Sequence, residues 1–165
     1  MSKKNKETNK NSRQIQFVWG LLCKLSSIDQ EKNNISLFNV IDQLNLPKKV
    51  FSNESEDQES VSINHELVMV FRRVLPLHVS NQKIQADCKI TLIDPKGEEL
   101  QEVVIPLVFK EKSRRSRMRI RTNGILISSP GSYVYKIEVR NPDADNFHKM
   151  GEIPLEVLSV QEQDS

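Results

Sequence analysis

Glycine, histidine and cysteine are scarce in this 165-residue chain, and their scarcity excludes several kinds of functional site. The five glycines are scattered, so none forms a glycine-rich loop that could hold a phosphate group. The three histidines and two cysteines show neither helical metal-ligand spacing nor a close zinc-binding pair. No serine stands in a nucleophile elbow. The sequence therefore predicts no catalytic residue, no cofactor and no metal, and it indicates a protein that is not an enzyme.

Long apolar runs are also missing. The run at residues 17–23 ends at Lys24, which is short for a signal-peptide core, and no small-residue cleavage site follows it. No run approaches the roughly 18–20 apolar residues of a transmembrane helix. We therefore expect a cytoplasmic protein with no membrane partner. Cys23 and Cys88 fall on apolar strand faces, which favours two buried thiols, although a disulfide would form if their strands paired.

The formal net charge of +2 identifies no partner, but the charges are unevenly distributed. Residues 1–13 are rich in lysine and read as a basic flexible arm, and residues 161–165 read as an acidic flexible tail. Residues 48–60 form a polar loop with an acidic run. The remaining chain, residues 14–160, is long enough for one domain with its own core.

Alternating apolar and polar residues dominate residues 14–160, with turn signals about every eight to twelve residues. No segment shows a sustained helical period, although residues 35–44 fit a helix as well as a strand; we prefer the strand because Asn39 and Asp42 are poor helix formers. The predicted fold is all-β, an antiparallel β-sandwich of about eight strands, immunoglobulin-like or C2-like. The predicted strands cover residues 15–25, 35–41, 63–74, 84–92, 103–109, 117–121, 125–127, 133–139 and about 150–160.

Three details refine this fold. The strand at 63–74 is apolar on both faces, which predicts a central strand. Pro106 cannot donate to a strand ladder and predicts an edge strand. Asn123-Gly124 is the strongest short hairpin signal and predicts that the strands on either side of it pair.

The segment 129–139 resembles a tyrosine corner, in which a tyrosine hydroxyl bonds back to the backbone where the chain crosses between sheets. Pro130 and Gly131 form a turn, Tyr133 follows two residues later, and strict alternation continues to Val139. The spacing predicts that Tyr133, Tyr135, Ile137 and Val139 share a buried strand face.

A cluster of basic residues is the strongest functional signal. Arg117, Arg119 and Arg121 share one face of a predicted strand and could engage phosphates or a carboxylate-rich partner. The alternative is a solvated edge strand whose arginines pair with Glu98, Glu99 or Glu102. Few aromatic residues lie nearby, which weakens recognition of single-stranded nucleic acid. The whole candidate patch for an anionic partner comprises Lys110, Lys112, Arg114, Arg115, Arg117, Arg119 and Arg121.

An acidic loop offers a weaker signal. Asp143 and Asp145, with Asp94 from another loop, supply oxygen ligands of the kind that calcium takes in C2 domains. Calcium needs six to eight oxygens, and these loops provide few, so a polar turn is the preferred interpretation.

The chain resembles a family of small uncharacterised bacterial β-sandwich proteins. The similarity covers about residues 15–159 and rests on turn and strand motifs. It implies the sandwich fold, assigns no activity and carries over no catalytic residue, and the arginine cluster is not part of the family pattern. The motifs are Phe17 to Leu46-Pro47, Leu92-Ile93-Asp94-Pro95-Lys96-Gly97, and Pro130-Gly131-Ser132-Tyr133-Val134-Tyr135 through Ile153-Pro154-Leu155.

Three functions follow as expectations. The first is a non-enzymatic binding or accessory module that uses its basic strand for an acidic protein or a nucleic acid. The second is a structural or assembly subunit that docks through a sheet edge or its tails. The third is a hydrolase whose site is assembled by folding, for which His65, His78 and His148 are the histidines available.

Overall fold

The computed structural model describes residues 14–51, 59–74, 82–142 and 144–161. The predicted arm and nearly all of the predicted tail, together with His78 and Asp143, lie outside this described part. The described residues are mostly β-strand, which confirms the all-β prediction, and a short 3₁₀ helix covers Lys48–Phe51. The strands are β1 (Ile15–Ile28), β2 (Ile35–Ile41), β3 (Gln43–Pro47), β4 (Glu59–Val61), β5 (His65–Arg73), β6 (Ile84–Ile93), β7 (Glu99–Phe109), β8 (Arg115–Thr122), β9 (Ile125–Ile127), β10 (Gly131–Arg140) and β11 (His148–Val160).

These strands form two main sheets. The first has the order β2-β1-β5-β8 and is antiparallel throughout. The second has the order β3-β11-β10-β6-β7, in which only β3 runs parallel to its neighbour. Strands β4 and β9 pair separately. Buried side chains from both main sheets belong to one hydrophobic core, so the two sheets stabilise each other.

The central and edge positions were predicted well. Strand β5 lies between β1 and β8, and it is buried on both faces, as the continuous apolar run indicated. Pro106 lies in β7, which is an edge strand of the second sheet. The strand alternative for residues 35–41 is also confirmed, because this segment is β2.

The prediction of one apolar face along β1 was wrong. A β-bulge between Phe17 and Trp19 shifts the register against β5, and one extra residue moves every later side chain to the opposite face. Ile15 and Leu22 therefore enter the core, whereas Cys23 is fully buried without belonging to it. The alternating pattern alone gives no signal for the bulge.

The predicted Asn123-Gly124 hairpin was also wrong. Strand β8 pairs with β5, and β9 crosses away to pair with β4, so the two strands flanking this dipeptide are not partners. The side chains of Ile125 and Ile127 are buried in the shared core. Their burial explains why the chain leaves the edge of the first sheet rather than folding back along it.

The tyrosine corner is confirmed. The Tyr133 hydroxyl accepts hydrogen bonds from the backbone N–H groups of Ser128 and Ser129 at 2.9 and 3.0 Å, and it donates to the Ser129 carbonyl at 2.7 Å. Gly131 has a φ of 139°, and a Cβ there would lie 2.8 Å from Pro95. The turn before Tyr133 therefore requires glycine for both conformation and space.

The two cysteines are free and buried, which confirms the prediction of two buried thiols over a disulfide. Cys23 lies in β1 of the first sheet and Cys88 lies in β6 of the second, so their strands do not pair. Burial raises the pKa of Cys23, and it raises that of Cys88 to about 12, which keeps both thiols protonated and weakly reactive.

Candidate anion-binding surface

The structure divides the predicted basic patch into two groups with different surroundings. The first is the clasp, which we define as Arg117, Arg119 and Arg121 of β8 together with the residues they bind. The second is the basic turn, which we define as Lys110, Lys112, Arg114 and Arg115 around the connection from β7 to β8. The clasp arginines are engaged with the protein itself, whereas the basic turn faces solvent.

Two clasp arginines bind the far end of the β1–β2 hairpin. The Arg117 guanidinium donates to the Asn33 side-chain oxygen at 2.8 Å and to the Asn33 carbonyl at 2.6 Å. Arg119 donates to the Ser26 carbonyl at 3.2 Å. Strand β5 separates β1 from β8, so the hairpin must curl over the outer face of β5 to make these contacts. Asn33 and Asn39 adopt left-handed φ angles of 54° and 51°, which bend the chain at the tip and along β2.

Glu66 completes the clasp. It is the second residue of β5 and is only 3% exposed. Its carboxylate accepts hydrogen bonds from the Ser26 backbone N–H at 2.9 Å and from the Ser26 hydroxyl. Arg121 donates to the other carboxylate oxygen at 2.6 Å. Burial alone would raise the pKa of Glu66, but the hydrogen bonds from Ser26 and Arg121 and the charge of Arg121 outweigh it and lower the pKa.

The clasp explains why the outer face of β5 is buried. Val68 and Val70 point away from the shared core, yet they are 0% and 3% exposed. The hairpin held by the arginines covers this face, so the guanidiniums fasten the chain to itself. The side chain of Arg121 is 67% exposed although it binds Glu66.

The expected pairing of these arginines with Glu98, Glu99 or Glu102 does not occur. Glu102 lies 3.7 Å from the Lys89 amine, and Glu99 lies 3.1 Å from that of Lys136. Both lysines also approach Glu138, at 2.9 and 3.6 Å respectively. The pairing differs from the expectation because β8 and β7 lie in different sheets. These acids instead neutralise the lysines on the outer face of the second sheet.

The basic turn is a fixed loop with exposed cations. A backbone bond from Ser113 N–H to the Lys110 carbonyl closes it at 3.1 Å, and Lys112 occupies the left-handed region with a φ of 57°. The buried guanidinium of Arg73 donates to the carbonyls of Phe109 and Lys110 at 3.0 and 3.1 Å and lies over the Phe109 ring. These contacts anchor the start of the loop to β5.

The basic turn contains one acidic residue, Glu111, but its cations form no ion pair among the described residues. Lys110, Lys112, Arg114 and Arg115 are all exposed, and within the described ranges none of the four forms an ion pair. Arg115 is also directly opposite Arg72 in the β5–β8 ladder, and like charges at that position destabilise a sheet. An anion bound here would relieve this repulsion.

Within the described part of the chain, no group of three or more histidine, cysteine, aspartate or glutamate residues could hold a metal ion. His65 is buried. Its Nδ1 atom lies 2.8 Å from the Ile63 carbonyl, and its Nε2 atom lies 2.8 Å from the Thr122 hydroxyl. His148 is exposed at the start of β11.

Asp94 serves the turn between β6 and β7. Its carboxylate accepts backbone hydrogen bonds from Lys96 and Glu98, both at 2.8 Å, and a bond from the Ser128 hydroxyl at 2.7 Å. Ser128 also contacts Tyr133, so this buried aspartate ties the turn to the tyrosine corner. These bonds support the polar-turn interpretation for Asp94, whereas the predicted ligand Asp143 lies outside the described residues.

We expect the stability contributed by Asp94 to depend on pH. Burial would raise its pKa, but the bonds from Ser128, Glu98 and Lys96 outweigh burial and lower it. The contribution is therefore fully present above the unfolded pKa of about 3.9 and is lost as the pH falls toward the lower folded value. Urea unfolding of Asp94→Asn between pH 3 and pH 7 should give a smaller fall in stability on acidification than the parent shows. An equal fall in both proteins would contradict this role.

Sequence reasoning missed Glu66 as a central residue of this surface. The available signal was a single carboxylate at the start of a run that is otherwise apolar on both faces, Glu66-Leu67-Val68-Met69-Val70-Phe71. A charged residue at such a position is buried only when it is paired and hydrogen-bonded.

Comparisons with known proteins add little to this description. No protein-family model and no curated protein matches the chain. Similar solved structures include the C-terminal domain of wzt, with a TM-score of 0.37 and 10% identity over 63% of this chain and 69% of that one. A family 123 glycoside hydrolase from Clostridium perfringens gives a TM-score of 0.41 and 10% identity over 91% of this chain but only 28% of that one. The N-terminal domain of PorA gives a TM-score of 0.24 and 6% identity, over 84% of this chain and 96% of that one.

No helix among the described residues has the length and apolar character that crossing a membrane requires.

Proposed function

We propose that this protein is a non-enzymatic binding module, an antiparallel β-sandwich that engages an anionic partner through its basic turn. The observation that carries this proposal is the group of four exposed, unpaired cations at Lys110, Lys112, Arg114 and Arg115. Free thiols at two buried cysteines favour a reducing compartment, and we place the module in the cytoplasm on that basis.

The distribution of the other charges supports the basic turn as the contact surface. Lysines on the second sheet are paired with Glu99, Glu102 and Glu138, and Arg140 is paired with Asp87 at 2.6 Å. The clasp arginines bind the β1–β2 hairpin. The basic turn therefore concentrates cationic charge that the described part of the protein does not use. Guanidinium groups suit carboxylates and phosphates, and an acidic protein is the favoured partner because Phe109, the aromatic beside the turn, is buried.

Charge removal at the basic turn tests this proposal. We expect the triple variant Lys112→Gln, Arg114→Gln, Arg115→Gln to lose at least tenfold in affinity for poly-glutamate at low salt, measured by fluorescence anisotropy. Binding by the parent should weaken as the salt concentration rises, because exposed charges are screened.

The matched control is Lys24→Gln, Lys32→Gln, Lys83→Gln, which removes the same charge from exposed positions elsewhere. Equal losses in the two variants, or no binding by the parent, would refute the role of the basic turn. Binding of duplex DNA but not of poly-glutamate would instead identify nucleic acid as the partner.

A second candidate is an assembly subunit, and the exposed side of the first sheet favours it. Strand β2 is an edge strand, and Phe38 and Val40 on it are 50% and 54% exposed. Exposed apolar edges are positions at which sheets pair between molecules. Light scattering of purified protein at micromolar concentration tests this candidate, and a stable monomer would argue against it. The hydrolase candidate gains no support from the described residues, since the contacts of His65 include no carboxylate.

A further inference from the structure

A cleft opens between the edge strands of the two main sheets. At one end β7 and β8 are joined by a hydrogen bond from the Ser116 hydroxyl to the Val108 carbonyl at 2.7 Å. A second part of the space between these sheets is walled by apolar side chains from both. The walls are Leu67, Ile90, Leu92, Val103 and Ile120. Because β7 and β8 are both edge strands, the described residues leave the side of this cleft without a covering strand.

The cleft is small. Its volume is about 40 Å³, which holds roughly three water-sized groups, since a single water needs about 10–15 Å³ on this measure. His65 lies on its wall and also borders a second apolar cavity of about 10 Å³. The space therefore admits a small group or the end of a larger molecule that extends out of the opening.

Tyr135 lines the cleft and carries a hydroxyl that no described residue binds. It is 91% buried, as its exposed fraction is 9%, and it lines the cleft. Its hydroxyl makes no hydrogen bond with any described residue. The hydroxyl oxygen still contacts solvent, because it is not one of the fully buried polar atoms that lack a partner. Tyr133, two residues earlier on the same strand face, has its hydroxyl fully used by Ser128 and Ser129. Burial raises the pKa of Tyr135, which keeps the hydroxyl a neutral donor.

The other polar side chains of the lining are His65, Thr122 and Gln101, and the first two are hydrogen-bonded to each other. The His65 Nδ1 atom lies 2.8 Å from the Ile63 carbonyl, which can only accept, so Nδ1 carries the proton. Nε2 then accepts from the Thr122 hydroxyl at 2.8 Å. Among the residues that the structure describes, no aspartate, glutamate, lysine or arginine lines the cleft. Gln101 is exposed, so Tyr135 is the buried donor that remains for a ligand among the described lining residues. An ionised ligand would lose its hydration without gaining a charged partner.

We propose that this cleft is a binding site for an uncharged, largely apolar small molecule that carries one hydrogen-bond acceptor, which the Tyr135 hydroxyl recognises. The site is separate from the basic turn, since no residue of that turn lines it. The proposal therefore does not depend on the anionic partner, and either site could fail its test without affecting the other.

Three probes of nearly equal shape test the proposal: acetone, acetate and isopropylammonium. Each has four non-hydrogen atoms, but only acetone is an uncharged acceptor. Titration of the full chain, followed by ¹H–¹⁵N chemical shifts, should show saturable shifts for acetone at amides around Gln101, Val103, Ile120 and Thr122. Acetate and isopropylammonium should bind at least fivefold more weakly.

Two variants make the result decisive. Tyr135→Phe keeps the ring and removes the donor, and we expect it to weaken acetone binding about fivefold, as the loss of one net hydrogen bond predicts. Val103→Trp fills the mouth from a partly exposed position and should abolish the shifts, while its thermal midpoint reports whether it folds. Absence of saturable shifts in the parent, equal binding of acetate, or unchanged binding by Tyr135→Phe would each overturn the proposal.

Discussion

Replacing Glu66 with alanine is expected to lower the free energy of unfolding by about 3 kcal/mol, because breaking a buried charge pair from one side leaves uncompensated groups. The Ser26 N–H and hydroxyl would lose their acceptor inside the protein, and Arg121 would lose its counter-ion. The change also loosens the hairpin that covers Val68 and Val70. Urea denaturation at pH 7 measures the effect directly.

Single substitutions at Arg121 and at a control position show how much the ion pair and the hairpin turn each contribute to stability. Arg121→Ala alone should also cost about 3 kcal/mol, because it leaves the buried carboxylate of Glu66 without its counter-ion. Glu31→Ala, in the exposed turn of the same hairpin, is the matched control and should change stability by less than about 0.5 kcal/mol. A loss below about 1 kcal/mol for Glu66→Ala would show that the hairpin is not held through this carboxylate.

Replacing Tyr133 with phenylalanine is expected to cost about 2–3 kcal/mol, although only one oxygen atom is removed. The hydroxyl satisfies two backbone N–H groups and one carbonyl where the chain turns into β10, and Tyr133 is fully buried. Each buried polar group left without a partner costs about 1–3 kcal/mol, and partial relaxation reduces the sum. Thermal or urea unfolding monitored by circular dichroism gives the difference.

Tyr135→Phe is the matched control for this second substitution. The two tyrosines share a strand and a face, and both are buried, but the Tyr135 hydroxyl has no partner among the described residues. Its removal should change the free energy of unfolding by less than about 0.5 kcal/mol. Equal losses of unfolding free energy in the two variants would mean that the hydrogen bonds of the Tyr133 hydroxyl do not stabilise the fold.

The parts of the fold that could be predicted are those that depend on residues close together in the sequence. Tyr133 and Gly131 lie two residues apart, so one turn and one strand contain the whole signal of the corner. Pro106 and the continuous apolar run of β5 each report a local constraint on pairing. Such features depend on the chain's own backbone chemistry and need no knowledge of which strands meet.

The errors concern long-range pairing. The bulge at Phe17 and Trp19 and the crossover after Asn123-Gly124 depend on which face of β5 and which part of the core accept each strand. A two-residue turn signal expresses a local preference, and burial of Ile125 and Ile127 in the shared core opposes it. Tertiary packing decided both cases.

The candidate site shows the same division. The sequence placed Arg117, Arg119 and Arg121 on one strand face correctly, because alternation along a strand is a local rule. It could not show that these arginines form hydrogen bonds with Asn33, Ser26 and Glu66, which are distant in the sequence. The separation of the basic turn from the clasp therefore appears only once the hairpin is seen to curl over β5.

The clasp also sets an order of events during folding. The β1–β2 hairpin can pair as soon as its residues are available, since its strands are joined by a short turn. Its contacts with Arg117 and Arg119 span 84 and 93 residues of sequence, so they require β8 to be present and paired with β5. During synthesis the hairpin and the apolar face of β5 must wait for these arginines to emerge. Until then Val68 and Val70 stay uncovered, and the nascent chain is expected to need its longest protection from aggregation there.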